Sequence, residues 1–166
     1  MPPVAQQLWL LRHGEAEPHD ARPDAERRLT ERGERQSAAA GAALAALAVT
    51  FQAVFTSPKV RARETTRLAV ASLPPGVEVT EHAGLAQQLR SRDALELAAA
   101  GDRVLLVGHE PDFGQIVHDL TGARVDFKKG GVAGIRLQGS GSGELVVLLR
   151  PRELDRIAGT ATPVRH

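Results

Sequence analysis

The chain has 166 residues, enough for one domain with a real core, and its acids and bases nearly cancel to a net charge of +1. That balance argues against a general nucleic-acid or membrane-binding surface, while leaving room for a local anion pocket. The absence of cysteine excludes a disulfide framework, a thiol nucleophile and a thiolate metal site. The start, Met1-Pro2-Pro3-Val4-Ala5, lacks the basic segment and apolar run of a signal peptide, so a cytoplasmic setting is expected. Leu8 to Leu11 is an unbroken apolar run, the mark of a short strand buried on both faces, and it leads directly into Arg12-His13-Gly14-Glu15. A cation and an imidazole at the end of a buried strand are costly to leave unpaired. Gly14 allows a sharp turn or a close approach to a ligand.

A polar, proline-punctuated loop follows from Ala16 to Arg28, either a plain connection or a flap over a site. Thr30 is the expected N-cap of a helix reaching about Ala48, with Glu31 in its first turn and Leu44 and Leu47 on its apolar side. Its Ala-rich stretch, Ser37 to Val49, is far too short to span a bilayer. Phe51 to Thr56 reads as a strand, and Ser57-Pro58 as the start of a helix with Ser57 as N-cap. Arg61 then lies in that helix's first turn, where free N–H groups favour an anion. The helix ends before Leu73-Pro74-Pro75-Gly76, and a short strand covers Val77 to Thr80. Glu81 to Gln88 has no clear period, and Ser91 to Ala100 reads as a helix closed by Gly101. Val104 to Val107 is a fourth buried strand, ending at Gly108-His109. Glu110-Pro111 opens a helix with Phe113, Ile116, Val117 and Leu120 on one side, ending near Gly122. Val132 to Leu137 and Leu145 to Leu149, joined by a Gly/Ser turn, form an antiparallel hairpin. A short helical piece follows Arg150-Pro151. The expected organisation is a single domain over residues 1–159 and a flexible tail over 160–166. The alternation of strands and helices predicts a three-layer α/β/α sandwich with a mainly parallel sheet and an antiparallel edge hairpin.

In such sheets ligands bind beyond the carboxyl ends of the strands. Residues 12–13, 57–61 and 108–111 all fall at such ends, so two guanidiniums and two imidazoles can converge beside two helix N-termini. Guanidiniums supply forked donors matched to phosphate oxygens, so the combination is a phosphate site.

The segments RHGEAE at 12–17, LTERGERQ at 29–36, SPKVRARETT at 57–66 and VGHEP at 107–111 resemble the histidine phosphatase superfamily, which also holds the phosphoglycerate mutases. The similarity is nearest to the compact SixA-type phosphohistidine phosphatases, and KKGGVAGI at 128–135 fits their late strand. The resemblance implies that His13 is a nucleophile forming a phosphohistidine intermediate, its other ring nitrogen held by a backbone carbonyl at Gly14. It implies that Arg12, Arg61 and His109 bind the phosphoryl oxygens, with Ser57 and Gly14 completing the substrate site, and that neither metal nor cofactor takes part.

The wider family uses a mid-chain carboxylate to protonate an alkoxide leaving group. Here Gln87 and Gln88 stand where that acid is expected. This fits an imidazole leaving group, which departs easily with its pKa of about 6.5. Glu15, Glu81 and Glu110 remain possible acids, each with an alternative reading as an ordinary carboxylate. His19, His82, His118 and His166 have no metal-ligand spacing and read as structural or surface residues. Lys128 and Lys129 either line the pocket mouth near an acidic protein substrate or are simply solvated. The expected substrate is a phosphorylated protein carrying phosphohistidine, with inorganic phosphate as product and no nucleic-acid or membrane partner. The alternatives are a phosphatase of small phosphoesters and a non-catalytic phosphate-binding module.

Overall fold

The computed structural model describes residues 5–161. The expected tail falls partly outside them, at residues 162–166. Six strands form one sheet: β1 (Gln7–Arg12), β2 (Ala53–Thr56), β3 (Glu78–Glu81), β4 (Arg103–Gly108), β5 (Val132–Leu137) and β6 (Gly143–Leu149). Their order is β3-β2-β4-β1-β5-β6. The pairs β3–β2, β2–β4 and β4–β1 are parallel, while β5 runs antiparallel to both β1 and β6. The sheet is therefore parallel across its centre with the antiparallel hairpin at one edge, as the sequence predicts.

The apolar runs need both faces covered, and the pleat divides them. Leu8, Leu10, Val104 and Leu106 point to one core. There they meet α3 (Ser91–Ala98) and α4 (Asp112–Thr121), the latter contributing Phe113, Ile116, Val117 and Leu120. Trp9, Leu11, Leu105 and Val107 point to the other core. That face is covered by α1 (Glu31–Ala46), α2 (Val60–Val70) and α5 (Pro151–Ala161). The result is the three-layer sandwich expected from the alternation of elements.

The differences from expectation lie at element ends. Ser57 does not cap α2; Lys59 occupies that position. The backbone N–H of Ser57 donates to the Val107 carbonyl at 2.9 Å, so Ser57 prolongs the edge of the sheet instead. Arg61 remains in the first helical turn, as expected. The C-terminal helix is longer than the short piece expected: Leu154, Ile157 and Ala158 pack one face of α5 into the core shared with α1. Thr30 caps α1 as predicted, its Oγ1 accepting from the Gly33 N–H at 3.1 Å.

The start of α1 lies unusually close to the turn after β1. A Cβ on Gly33 would collide with the carbonyl oxygen of Glu15, and one on Gly14 would lie 2.5 Å from the Gly33 carbonyl oxygen. Both obstacles are backbone, which cannot rotate away. Gly33→Ala should therefore destabilise the fold by about 1–3 kcal/mol, the range for overpacking. It should also lower activity, because it pushes on the segment carrying residues 13–15. Urea unfolding checks the first effect. An unchanged midpoint would mean that the two segments are not in contact in solution.

Candidate active site

The carboxyl ends of β1, β2 and β4 lie side by side, with Arg12 opposite Gly108 and Thr56 opposite Val107. This register brings Arg12, His13, Ser57, Arg61 and His109 to one edge of the sheet. His13 is sewn into place on both sides. Its N–H donates to the Gly108 carbonyl at 3.0 Å, and its own carbonyl accepts from the Gly130 N–H at 2.9 Å. The His13 ring is buried, with Nδ1 2.7 Å from the Gly14 carbonyl oxygen. A carbonyl can only accept, so Nδ1 carries the proton and the lone pair is on Nε2. The His109 ring centroid is 5.1 Å from that of His13, and its Nε2 lies 2.7 Å from Ser57 Oγ.

Both imidazoles are pushed down to about 3 from their ordinary value. Burial is the largest cause for each. For His13 the neighbouring His109, Arg61 and Arg12 add to it, and the bond to Gly14 opposes it. For His109 the nearby Arg61 and Lys59 add to it, and Asp24 opposes it. Both rings are therefore neutral at pH 7.

The guanidiniums are anchored from behind. An Arg12 terminal nitrogen donates to the Phe127 carbonyl at 2.6 Å. One terminal nitrogen of Arg61 donates to the Asp24 carbonyl at 2.6 Å, and the other lies 3.3 Å from the Asp24 carboxylate. Asp24 also receives Lys59 at 2.8 Å and Arg27 at 3.0 Å, and these cations hold its carboxyl well below the usual range against the opposing effect of burial. The loop over 16–28 thus folds back onto the guanidinium of Arg61. Nε of Arg12, Nε of Arg61 and Nδ1 of His109 are buried and have no hydrogen-bond partner. Buried polar atoms of this kind are normally satisfied; the two arginine Nε–H groups can only donate, and a phosphoryl group would supply their acceptors.

The candidate acids lie apart from this cluster or are engaged elsewhere. Glu15 accepts from Thr30 Oγ1 at 3.1 Å and pairs with Arg32 at 3.4 Å. Glu81 is exposed at the end of edge strand β3 and pairs with Arg63 at 3.5 Å. Glu110 accepts from the Gly114 N–H of its own helix start. Burial raises its pKa, against the pull of Gly114 and Arg12. Of the other histidines, His19 and His118 are exposed, His82 packs edge-on against Phe55, and His166 lies outside the described residues. Among the described residues no group of His, Asp and Glu is arranged to hold a metal ion. No helix among them is long and apolar enough to cross a membrane.

Sequence reasoning missed three supporting groups. Asp24 sits in an irregular loop, and no pattern marks it. The Phe127 carbonyl is backbone, which side-chain identity cannot flag. Thr65 accepts from the Gly14 N–H at 3.1 Å and donates to the Arg61 carbonyl at 2.7 Å. Its position four residues after Arg61, on the same helix face, is the signal that could have found it.

The histidine phosphatase superfamily (branch 1) model matches residues 8–91, which hold both the Arg12–His13 turn and Arg61. An uncharacterized protein of Picosynechococcus sp. is 31% identical over 167 residues, spanning 89% of this chain and 98% of its own length. The chain belongs to the histidine phosphatase superfamily. Its structure is also similar to that of the protein histidine phosphatase SixA solved with tungstate. The TM-score is 0.81 at 25% identity, over 90% of this chain and 99% of that one. The alpha-ribazole phosphatase of Shigella flexneri shares the fold, with a TM-score of 0.66 at 19% identity over 88% of this chain and 97% of that one. Within the superfamily this is a phosphatase of the SixA type.

The pKa directions give a direct test. Both depressed imidazoles should stay neutral from pH 8 down to about 5, whereas ordinary histidine titrates near 6.5. The unfolded chain takes up protons below 6.5 that the folded one refuses. Stability should therefore fall as pH drops from 6.5 toward 3. Ring resonances of His13 and His109 followed by NMR report the first effect. A midpoint near 6.5 for either ring would contradict the buried, cation-flanked site.

Proposed function

We propose that this phosphatase removes phosphoryl groups from phosphohistidine in proteins, carrying the phosphoryl transiently on His13. One observation carries the reading. A neutral, oriented His13 stands beside three buried donors that have no partner, on Arg12, Arg61 and His109. That is a nucleophile facing an anion hole.

In the proposed reaction the Nε2 lone pair of His13 attacks phosphorus, and the bond from phosphorus to the substrate ring breaks. Its electron pair goes to that ring, which carries a proton on its other nitrogen and so leaves as neutral imidazole. Arg12 and Arg61 neutralise the equatorial oxygens, where charge spreads in phosphoryl transfer. Ser57 donates its hydroxyl proton to Nε2 of His109, which leaves the Nδ1–H of His109 for a phosphoryl oxygen. The Gly14 carbonyl stabilises positive charge on the His13 ring while it carries phosphate. Water then attacks phosphorus, and the bond from phosphorus to Nε2 breaks with its electron pair returning to the ring. Neutral His13 is left with inorganic phosphate, which keeps the water's protons.

Two of the three candidate acids, Glu15 and Glu81, are tied into ion pairs, which supports a leaving group that needs no proton from the enzyme. Glu110 supports the second reading, a phosphoester phosphatase. Burial keeps its carboxyl protonated to a higher pH than usual, the property a general acid needs.

His13→Ala should abolish turnover with the fold intact, and the parent quenched after brief reaction should carry acid-labile phosphate on His13. Arg61→Ala should lose roughly 10²–10³-fold in kcat/KM. Rates should fall steeply from phosphohistidine and aryl phosphates to alkyl phosphates, since a placed acid is worth about 10²–10⁴-fold only for a poor leaving group. Glu110→Gln decides between the readings. A hundredfold loss on an alkyl phosphate that the parent hydrolyses well would establish the phosphoester enzyme, with Glu110 as its acid.

A further inference from the structure

We propose that a cationic cleft opening from Arg12 is the docking groove for an acidic segment flanking the phosphorylated residue of a protein substrate. This rests on the phosphatase reading above and extends it to what surrounds the phosphate. The cleft, of about 450 Å³, lies where the turn before β5 meets the starts of α1 and α5. Six of its lining side chains are cationic and only two are carboxylates. In a chain of net charge +1, that is a concentration of one sign at one place. Arg12 belongs to both the cleft and the phosphate site, so an occupant runs up to the residue beside His13.

The pairing within the cleft is incomplete. Lys128 meets Asp126 at 2.8 Å, Arg32 meets Glu15 at 3.4 Å, and Arg150 meets Glu153 at 2.9 Å. Lys129 and Arg152 make no ion pair among the described residues, and both are exposed. The character of these cations distinguishes a protein segment from a small polyanion. A second anion on a small ligand calls for buried, forked donors, and among the cations of the cleft only Arg12 is even partly buried. Arg32, Lys128 and Arg150 have side chains 69%, 54% and 58% exposed. Long exposed cations along an open cleft steer an extended acidic partner and set its register, and they act through a field that salt screens.

The test uses four peptides of one length, bearing phosphohistidine or phosphotyrosine, each with Asp/Glu-rich or Ser/Gly-rich flanks. At low ionic strength the acidic flanks should raise kcat/KM roughly tenfold, the reach of a few exposed ion pairs. The advantage should shrink as salt is added. The double variant Lys129→Glu/Arg152→Glu should lose the preference while hydrolysing a small aryl phosphate at the parent rate. Arg92→Glu, an exposed charge reversal on the opposite face of the sheet, should keep it. Equal kcat/KM for both flanks would overturn the groove, as would loss of the preference in Arg92→Glu. Turnover of small aryl phosphates with no peptide turned over would do the same. So would a small bisphosphate preferred over every peptide and slowed by the double variant. An acidic preference seen only with phosphotyrosine peptides would keep the groove and remove phosphohistidine as the substrate.

Discussion

Two guanidiniums held against two buried imidazoles set the terms for everything around them. Removing cations from water is costly, and crowding them together is costlier still, so each must be offset. The flap answers for Arg61, with the carbonyl and the carboxylate of Asp24 both turned onto it. For Arg12 the Phe127 carbonyl provides the direct contact, and the charges of Glu110 and Asp126 oppose the effect of its burial. The imidazoles offset the crowding differently, by remaining neutral. The lowered pKa values of the imidazoles and the unpartnered nitrogens of the guanidiniums thus share one cause, the burial of these groups at the edge of a sheet.

That cluster exists only because β1 and β4 are parallel and in register. Arg12 stands opposite Gly108, so the residues that follow each strand, His13 and His109, emerge as neighbours. A shift of one residue would send one histidine to the opposite face of the sheet. The two apolar runs, buried on alternating sides, oppose such a shift. Leu8 and Leu10 would have to exchange cores with Trp9 and Leu11. Hydrophobic burial some distance from the chemistry therefore fixes the distance between the two rings.

This explains what could be read from the chain before the fold was seen. Strand runs such as Leu8–Leu11 and Val104–Val107 are near-continuous apolar segments, and each ends in an Arg-His or Gly-His pair. Fold class and the positions of Arg12, His13 and His109 were legible from that pattern, and that of Arg61 from the helix start after Ser57-Pro58. The Gly14 carbonyl that orients His13 was expected from the family resemblance alone. The groups that anchor the guanidiniums were not foreseen, because they are a backbone carbonyl and a loop residue. Phe127 contributes through its backbone oxygen, which its side-chain identity does not announce. Ser57 shows the same limit from the other direction. As Ser-Pro before a helix it has the pattern of an N-cap, yet the sheet ladder claims its N–H and turns its hydroxyl to His109. The extent of α5 was readable in principle, since Leu154, Ile157 and Ala158 carry a helical apolar spacing.

The way Arg61 is held bears on how a small enzyme of this kind can cover its site and still bind phosphate. Both terminal nitrogens point back to Asp24, while Nε stays buried and without a partner. In the proposed reaction, phosphate would meet Nε without displacing the flap. The Asp24 contact would then fix the guanidinium plane throughout the cycle. Asp24 serves as a counter-ion that need not leave, because Lys59 and Arg27 hold it as firmly as Arg61 does. An anchored cation reorganises little when charge develops on phosphorus, and small reorganisation is what makes such electrostatic stabilisation effective. In the proposed reaction the flap would therefore act as the rear wall of the anion hole and not as a door in front of it.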